Sequence, residues 1–192
     1  WSESDESLNR IEKLRKNFKD LGGIKLPDKL VFSTSYEEVM KDADLVFIMV
    51  AAKYVSSVCE NMKKYITKNM HFVIGSKGIE QKTCLFIDEI FQKNIRTNKF
   101  GVISGPSFAI DIGFLEPIGL SLATKNKSTL KLVHEAYEHT NIKLRDTTDI
   151  VGIEICGSIK NVIAIAAGIL DGLGYKESTR SFLITESLHD IK

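Results

Sequence analysis

The sequence predicts an α/β fold in which a doubly wound, mostly parallel sheet is followed by a helical region. Two observations predict it. Over residues 1–147, short apolar runs alternate with amphipathic segments of helical periodicity, the pattern of strands joined by crossover helices. From residue 148 onward, the helical periodicity continues without a strand signal. We therefore expect two domains, a sheet-containing one over 1–147 and a helical one over 148–192.

Apolar residues at three- and four-residue spacing predict the helices, with capping residues and glycines at their ends. The first predicted helix covers 6–21, with apolar residues that recur from Leu8 to Leu21, and Gly22 ends it. Ser35 is placed to cap the second helix, and Pro106 suits the first turn of a short one. The other predicted helices cover 36–42, 54–66, 83–94, 128–140, 149 to about 170, and about 178 to 192.

Short apolar runs predict the strands. The run at 45–50 is unbroken, which is typical of a strand buried on both faces of a parallel sheet. The other predicted strands are 30–33, 71–75, 100–104, 118–123 and 142–145. In such a sheet, ligands bind outside the carboxyl ends of the strands. Functional residues are therefore expected in the loops that follow the strands.

The composition indicates a globular protein and excludes several classes. The chain has 192 residues, of which 43% are hydrophobic and 27% charged, and its formal net charge is +1. These values exclude a disordered or collagen-like chain. They also give no support for a protein that binds nucleic acid or a membrane surface. The three cysteines are odd in number and far apart, which argues against a disulfide framework or a metal site.

Two further features are the most apolar stretch of the sequence and the residues at the two ends of the chain. The most apolar stretch, 150–170, contains Glu154 and Lys160, which favours a helix buried in a soluble protein over a membrane span. The chain begins with Trp1 rather than Met and ends at Lys192 within a predicted helix. We therefore expect it to be part of a longer protein.

Two candidate segments follow predicted strands. Lys77 lies between glycines directly after 71–75, where it can reach a phosphate or carboxylate. The alternative is a surface turn with a solvated lysine. The segment Ser104–Ala109 follows 100–104, and its Gly-Pro helix start leaves N–H groups free for an anion, with the Ser107 hydroxyl beside them. The alternative is an ordinary strand–helix turn.

The third candidate segment is Gly157–Asn161 in the long apolar helix. Lys160 lies among apolar residues, so we expect it to be partly buried, with a lowered pKa suited to a general base. Gly157, Asn161 and Ala164 share its face and leave room for a ligand. The alternatives are that Lys160 extends to solvent or pairs with Glu154.

Together, two lysines and an anion-binding turn suit a small anionic substrate. They are compatible with oxidation of a secondary alcohol, which needs a base for the hydroxyl proton and a cofactor that takes the hydride. The glycine fingerprint of dinucleotide-binding folds, Gly-x-Gly-x-x-Gly after a strand, does not occur in this sequence. We expect it upstream of Trp1.

Three motifs resemble those of the NAD(P)-dependent glycerol-3-phosphate dehydrogenase family. They are 76–80 (SKGIE), 104–109 (SGPSFA) and the most specific one, 152–168 (GIEICGSIKNVIAIAAG). The resemblance covers nearly the whole chain. It implies a Rossmann-like sheet lacking its first strand, followed by the start of an all-helical substrate domain.

The resemblance also implies roles for individual residues. Lys160 would accept the proton and, with Asn161 on its face, bind substrate. Lys77 would contact both cofactor and substrate, and Gly105 and Ser107 the substrate. The expected cofactor, NAD or NADP, would contact Trp1, Tyr54, Lys77 and Ala109. The implied reaction is hydride transfer between the cofactor and C2 of glycerol 3-phosphate, giving dihydroxyacetone phosphate.

The wider expectations are a small phosphorylated substrate, a homodimer and a cytoplasmic location, with an organelle left open. No nucleic-acid partner, membrane span or metal is expected, and the reaction would feed phospholipid biosynthesis. One departure is Ala51, where the family usually has proline after the strand. Two alternatives stay open, a β-hydroxyacid dehydrogenase and a truncated, non-catalytic module.

Overall fold

The structure, a computed structural model, describes residues 1–191, and the side chains at positions 5, 7, 19 and 20 lie outside that description. A five-stranded sheet forms its centre, with the order β1-β2-β3-β4-β5. The strands are β1 (Leu45–Ile48), β2 (His71–Ile74), β3 (Phe100–Ser104), β4 (Ile118–Ala123) and β5 (Ile142–Thr147). The neighbours β1, β2 and β3 run parallel, β4 is antiparallel to β3, and β5 is parallel to β4. The sheet is mostly parallel, as predicted, with one reversal.

Nine α-helices connect and follow the strands over the described residues. They are α1 (Asp5–Leu14), α2 (Phe18–Leu21), α3 (Tyr36–Met40), α4 (Val55–Met62), α5 (Ile87–Asn94), α6 (Ala109–Gly113), α7 (Lys127–Tyr137), α8 (Ile150–Gly172) and α9 (Glu177–Ile191). Short 3₁₀ turns, Ala52–Tyr54 and Lys63–Tyr65, flank α4. The two helices predicted after residue 148 are both present.

The core has two parts, one on each face of the sheet. Because successive strand residues point to opposite faces, Phe72 and Val102 pack towards α4, α5 and Ile153 of α8. Val73 and its neighbours on the other face pack against Val133 of α7. Helices thus cover both faces, which is the doubly wound arrangement.

The segment predicted as a strand at 30–33 is not one. Its backbone hydrogen bonds include one from Ser2 N to Ser33 O at 3.2 Å and one from Leu30 N to Pro27 O at 3.1 Å, and Val31 is exposed. The run at 45–50 is also less buried than predicted, since β1 lies at the edge of the described sheet and Phe47 is partly exposed. An apolar run predicts a strand, but a strand becomes buried only if neighbours pair with both of its edges.

Three helix predictions need correction at their ends. The helix predicted at 6–21 is split into α1 and α2, because Arg15 has a φ of +50°. The helix predicted from residue 83 begins at Ile87, and Cys84 has a φ of +57°. The short helix predicted at Pro106 begins at Ala109, because Phe108 is still extended.

Helix α8 crosses one face of the sheet along β3. Its first turn lies beside Phe100, at the start of β3, and its N-cap Asp149 accepts a hydrogen bond from Gly152 N at 2.9 Å. Two turns later Gly157 lies against Ser104, at the end of β3. The helix therefore carries the chain from the amino end of β3 to the carboxyl ends of β1–β3.

Helix α8 is long and apolar enough to span a membrane by length and composition, but its first half packs on the sheet. There Ile153, Glu154 and Gly157 are buried. In its second half Val162 and Ile165 are exposed over the described residues. The prediction of a buried helix is therefore correct for the first half and wrong for the second.

Candidate active site

Lys77 follows β2 at its carboxyl end, as predicted. The next residue, Gly78, has a φ of +128°, a conformation that glycine adopts readily. Ser76 is buried, and its Oγ donates to Val50 O at 2.6 Å, which ties this loop to the end of β1. The half-buried Lys77 donates from Nζ to Gly105 O at 3.1 Å. Its amine therefore lies beside the turn that follows β3.

The turn after β3 passes very close to β4. A Cβ at Gly105 would lie 2.8 Å from the carbonyl oxygen of Gly119, nearer than real Cβ atoms come to backbone. Glycine is therefore required there by packing. Ser107 Oγ donates to Gly105 O at 3.3 Å. Because the helix starts only at Ala109, the predicted anion site at a Pro106 helix start does not form, and the Ser107 hydroxyl and Lys77 amine are the polar groups offered at this turn.

Lys160 lies just beyond the carboxyl end of β3. Gly157 permits this, because a Cβ there would be 3.1 Å from Ser104 Oγ and 3.7 Å from Lys77 Cγ. The close approach brings α8 against the Lys77 side chain, and Lys160 follows one turn later. Contrary to the prediction of partial burial, Lys160 is exposed. At this position the helix extends beyond the end of β3, so the Lys160 ammonium stays in contact with solvent.

Three of the five predicted substrate residues, Gly105, Ser107 and Lys160, line a common cavity of about 900 Å³ at the ends of the strands. Gly105, Ser107, Gly157 and Lys160 contribute to its wall, together with Cys156, which the sequence did not single out. Asn161 is exposed and is not among the residues that line this cavity. On a helix, adjacent positions point about 100° apart, so Lys160 and Asn161 face different directions.

Two further cavities extend this one along the edge of the sheet. One, of about 640 Å³, shares Ser104 and Ser107 with it and includes Lys77 and Ala109. The next, of about 590 Å³, shares the segment 49–51 with the second cavity. The three cavities together form a continuous groove across the carboxyl ends of β1, β2 and β3, which we call the strand-end groove.

The far end of the strand-end groove has an aromatic wall. Trp1 stacks on Tyr36 with ring centroids 4.5 Å apart, and its Nε1 donates to Thr34 O at 2.8 Å. Tyr54 lines the same cavity. Trp1, Tyr54, Lys77 and Ala109 therefore lie along one groove, although 108 positions of sequence separate the first from the last. Tyr36 was missed because stacking pairs leave no signal in sequence spacing.

Electrostatics favour an anion between the two lysines. Burial lowers the pKa of the Lys77 ammonium, and the positive charge of Lys160 lowers it further. The two ammonium groups repel each other. A negatively charged group placed between them is attracted to both and relieves this repulsion. Both lysines lie near the Gly105 end of the strand-end groove, so the positive charge there favours an anion.

Glu154 does not pair with Lys160. Its Oε1 accepts a hydrogen bond from Asp88 N at 3.0 Å, and no ion pair joins it to Lys160 over the described residues. The side chain is buried, and its Oε2 has no hydrogen-bond partner. Burial, together with the neighbouring Asp88 carboxyl, raises the pKa of Glu154 to about 8. The carboxyl group is therefore largely protonated at neutral pH.

The strand-end groove fits a nicotinamide dinucleotide. Such cofactors lie across the carboxyl ends of parallel strands, with apolar walls around their rings. Trp1 and Tyr54 supply the aromatic surface at one end, and Lys77 lies where the groove meets the substrate cavity. Ala51, which replaces the usual proline of the resembled family, lines two of the three cavities and does not close the groove.

Comparison with known proteins agrees with this geometry. The profile described as NAD-dependent glycerol-3-phosphate dehydrogenase N-terminus matches residues 1–130, and the corresponding C-terminus profile matches 149–192. A Leptospira biflexa protein named glycerol-3-phosphate dehydrogenase [NAD(P)+] is 36% identical over 100% of this chain and 58% of its own length. The Bacillus subtilis protein of that name is 33% identical, and 56% of it is covered. The chain thus spans somewhat over half the length of these relatives.

Solved structures show the same architecture. The glycerol-3-phosphate dehydrogenase of Coxiella burnetii superposes with a TM-score of 0.91 at 26% identity, over 100% of this chain and 58% of that one. The Plasmodium falciparum enzyme has the same fold, with a TM-score of 0.88 at 23% identity, over 98% of this chain and 54% of that one. With the profile match over residues 1–130, these findings show that the chain belongs to the NAD-dependent glycerol-3-phosphate dehydrogenase family.

Proposed function

We propose that the full-length protein interconverts glycerol 3-phosphate and dihydroxyacetone phosphate by hydride transfer with NAD or NADP. One observation carries the proposal most directly. Lys160 lines the substrate cavity beside Gly105 and Ser107, and the Lys77 amine reaches the same turn. Two cations and a hydroxyl at the end of a nucleotide-sized groove suit a small phosphorylated alcohol better than a neutral substrate.

In the oxidation direction, Lys160 takes the proton from the C2 hydroxyl of the substrate. In the reduction direction, its ammonium returns that proton to the carbonyl oxygen. The bound nicotinamide supplies the hydride acceptor or donor at C2. Lys160 is suited to this role because it lines the cavity and is also exposed, so that proton exchange with water resets it after each turnover.

Lys77 holds the substrate against the cofactor. Its hydrogen bond to Gly105 O fixes the amine at the junction of the substrate cavity and the cofactor part of the strand-end groove. Ser107 adds a hydroxyl donor within the same turn. Asn161 is proposed to contact the substrate although it does not line the cavity, so this contact requires a movement of α8 or of the substrate.

The domain boundary, the location, the oligomeric state and the partners are part of the same proposal. The domain boundary is placed near residues 147–148, between the two profile matches. The protein would act in the cytoplasm as a homodimer and supply glycerol 3-phosphate to phospholipid biosynthesis. No nucleic-acid partner and no metal enter the proposed reaction.

Turnover by the purified full-length protein tests the proposal. We expect oxidation of NADH or NADPH with dihydroxyacetone phosphate, and none with a β-keto acid. Turnover of the β-keto acid instead would identify a β-hydroxyacid dehydrogenase. Binding of inorganic phosphate without any turnover would identify a non-catalytic module. Either of these results would overturn the proposal.

A further inference from the structure

Glu154 is a buried acid that the proposed reaction does not use. It lies on α8 six positions before Lys160, on the face that packs against the sheet rather than on the cavity wall. Its Oε1 contacts the backbone of α5 instead of a side chain of its own helix. A buried carboxyl group is costly, so its presence calls for a specific partner.

The partner of Glu154 is the first turn of α5. Asp88 N is one of the backbone N–H groups that have no acceptor within their own helix. The residue before this helix, Phe86, has no side-chain acceptor that could cap it. The Phe86 N–H itself donates to Glu89 Oε2 at 2.8 Å. Glu154 therefore supplies, from a distant part of the chain, the acceptor that the N-terminus of α5 lacks.

The start of α5 is also the end of the loop that carries Lys77. This loop is closed on itself by a bridge between Ile79 and Phe86 and by a hydrogen bond from Glu80 N to Leu85 O at 3.0 Å. A bond to the start of α5 therefore holds the whole loop. Through Glu154, the helix that carries Lys160 is attached to the loop that carries Lys77.

The two lysine-bearing elements also meet directly beside Glu154. A small cavity of about 10 Å³ lies between them, lined by Lys77 and Ser104 on one side and by Glu154 and Gly157 on the other. Such a volume holds at most a single water molecule. The interface is thus tightly packed, and a change at Glu154 is transmitted to Lys77 rather than absorbed by free space.

We propose that Glu154 is a positioning residue, which clamps α8 to the Lys77 loop and thereby sets the spacing between Lys77 and Lys160. The inference rests on the proposed function, because it matters for turnover only if both lysines serve one substrate. Without the hydrogen bond to Asp88 N, α8 and the loop can shift relative to each other. A shift of about 1 Å in a catalytic arrangement costs on the order of a hundredfold in rate.

A neutral Glu154 suits this role better than a charged one. The charged group that faces it is Asp88 from α5, Val102 packs on the same sheet face, and the Lys77 side chain lies across the small shared cavity. Burial and the Asp88 carboxyl keep the acid protonated at neutral pH, since they raise its pKa to about 8. The protonated acid accepts the hydrogen bond from Asp88 N and places no second negative charge beside the Asp88 carboxyl.

The test compares three variants of the full-length protein. Glu154→Leu removes the acceptor, whereas Glu154→Gln keeps it and resembles the protonated acid in shape. Thr129→Val is the control, because Thr129 is buried on α7 at the opposite sheet face and bonds His71 Nδ1 at 2.8 Å. We measure Tm, and kcat and KM for dihydroxyacetone phosphate well below the lowest Tm.

We expect Glu154→Leu to lower kcat/KM at least about tenfold, with both a lower kcat and a higher KM. We expect Glu154→Gln to stay within about threefold of the unmodified protein. Thr129→Val should lower Tm without changing kcat/KM. If Glu154→Leu does not fold, Glu154→Asp replaces it, because the shorter acid cannot reach Asp88 N and must lose kcat/KM in the same way.

Two results would overturn the clamp. In one, Glu154→Leu or Glu154→Asp loses no more kcat/KM than Thr129→Val. In the other, Glu154→Gln is as impaired as the variant without the acceptor. Hydrogen exchange gives a readout that needs no turnover, since loss of the clamp must accelerate exchange at Asp88 N and in the Lys77 loop. Accelerated exchange in a protein that never reduces dihydroxyacetone phosphate would support the clamp and refute the proposed function.

Discussion

At the residue scale, Gly157 decides where Lys160 can lie. Its missing side chain lets α8 approach Ser104, and a Cβ there would stand 3.1 Å from the serine Oγ. Such a contact is tighter than ordinary van der Waals packing, so either the serine or the helix must move. A change at Gly157 therefore alters both the packing of α8 against β3 and the position of Lys160.

Replacing Gly157 by alanine should separate stability from activity. Alanine is favoured over glycine within a helix by about 1 kcal/mol, which offsets the strain against Ser104. We expect a Tm close to that of the unmodified protein and a kcat/KM several-fold lower, because Lys160 moves with the helix. Gly168→Ala is the matched control, since nothing lies within 4 Å of a Cβ at that position on the same helix. Equal effects of the two variants on kcat/KM would refute this coupling.

Lys160→Ala should remove proton transfer without unfolding the protein. The side chain is exposed, so its loss costs little packing. A general base contributes about 10²–10⁴-fold to turnover, and we expect kcat to fall by that amount. Steady-state kinetics of the full-length protein and Tm measure the two quantities. Near-normal kcat in this variant would exclude Lys160 as the base.

The sequence singled out residues that the structure brings to one groove, but not their surroundings. Lys77, Gly105 and Ser107 lie in motifs that follow strands, and strand ends meet at one side of the sheet, whereas Lys160 was marked by its apolar helix. Glu154 was seen only as a possible partner of Lys160. Its actual partner, Asp88 N, is 66 positions away and is a backbone group, which no local pattern reveals.

At the scale of the elements, strand and helix positions were predicted well and their pairing less well. Local apolar runs mark β1, β2 and β3, but they contain nothing about direction, so the reversal at β4 went unpredicted. Likewise, α6 starts at Ala109 rather than Pro106 because proline permits a helix start without requiring one. Long-range pairing and loop geometry decide these features.

The N-cap of α8 gives a prediction for this element. Asp149 accepts from Gly152 N at 2.9 Å, and loss of such a cap costs about 0.5–2 kcal/mol. We expect Asp149→Ala to lower the free energy of unfolding by about 1 kcal/mol. Asp149→Asn keeps the acceptor and should lose much less. Chemical denaturation compares the two, and an equal loss in both would show that the cap contributes nothing.

At the scale of the whole molecule, Glu154 links stability to pH. Its pKa is raised from its ordinary value of 4.5 to about 8 in the folded protein. Between these values the unfolded chain releases a proton that the folded protein keeps, so stability falls as pH rises. The dependence from this group is confined to the window between these two values and vanishes below 4.5 and above 8.

Glu154→Gln should abolish this part of the pH dependence. The amide does not titrate, so we expect the difference in free energy of unfolding between this variant and the unmodified protein to change steadily from pH 4.5 to 8. Denaturant titrations at a series of pH values across that window measure it. A constant difference would mean that Glu154 titrates alike in the folded and unfolded protein.

The path of α8 across the sheet has a consequence for insertions and deletions. Ten helical steps separate Ile150 from Lys160, a distance of about 15 Å along the axis. Removing one residue between them would turn the lysine by about 100° and point it away from the strand-end groove. The helix therefore sets the distance and the direction of Lys160 relative to the capped end of the helix at Asp149. The number of residues between that aspartate and the lysine therefore fixes the direction in which Lys160 points, in addition to the packing of Glu154 and Gly157 between them.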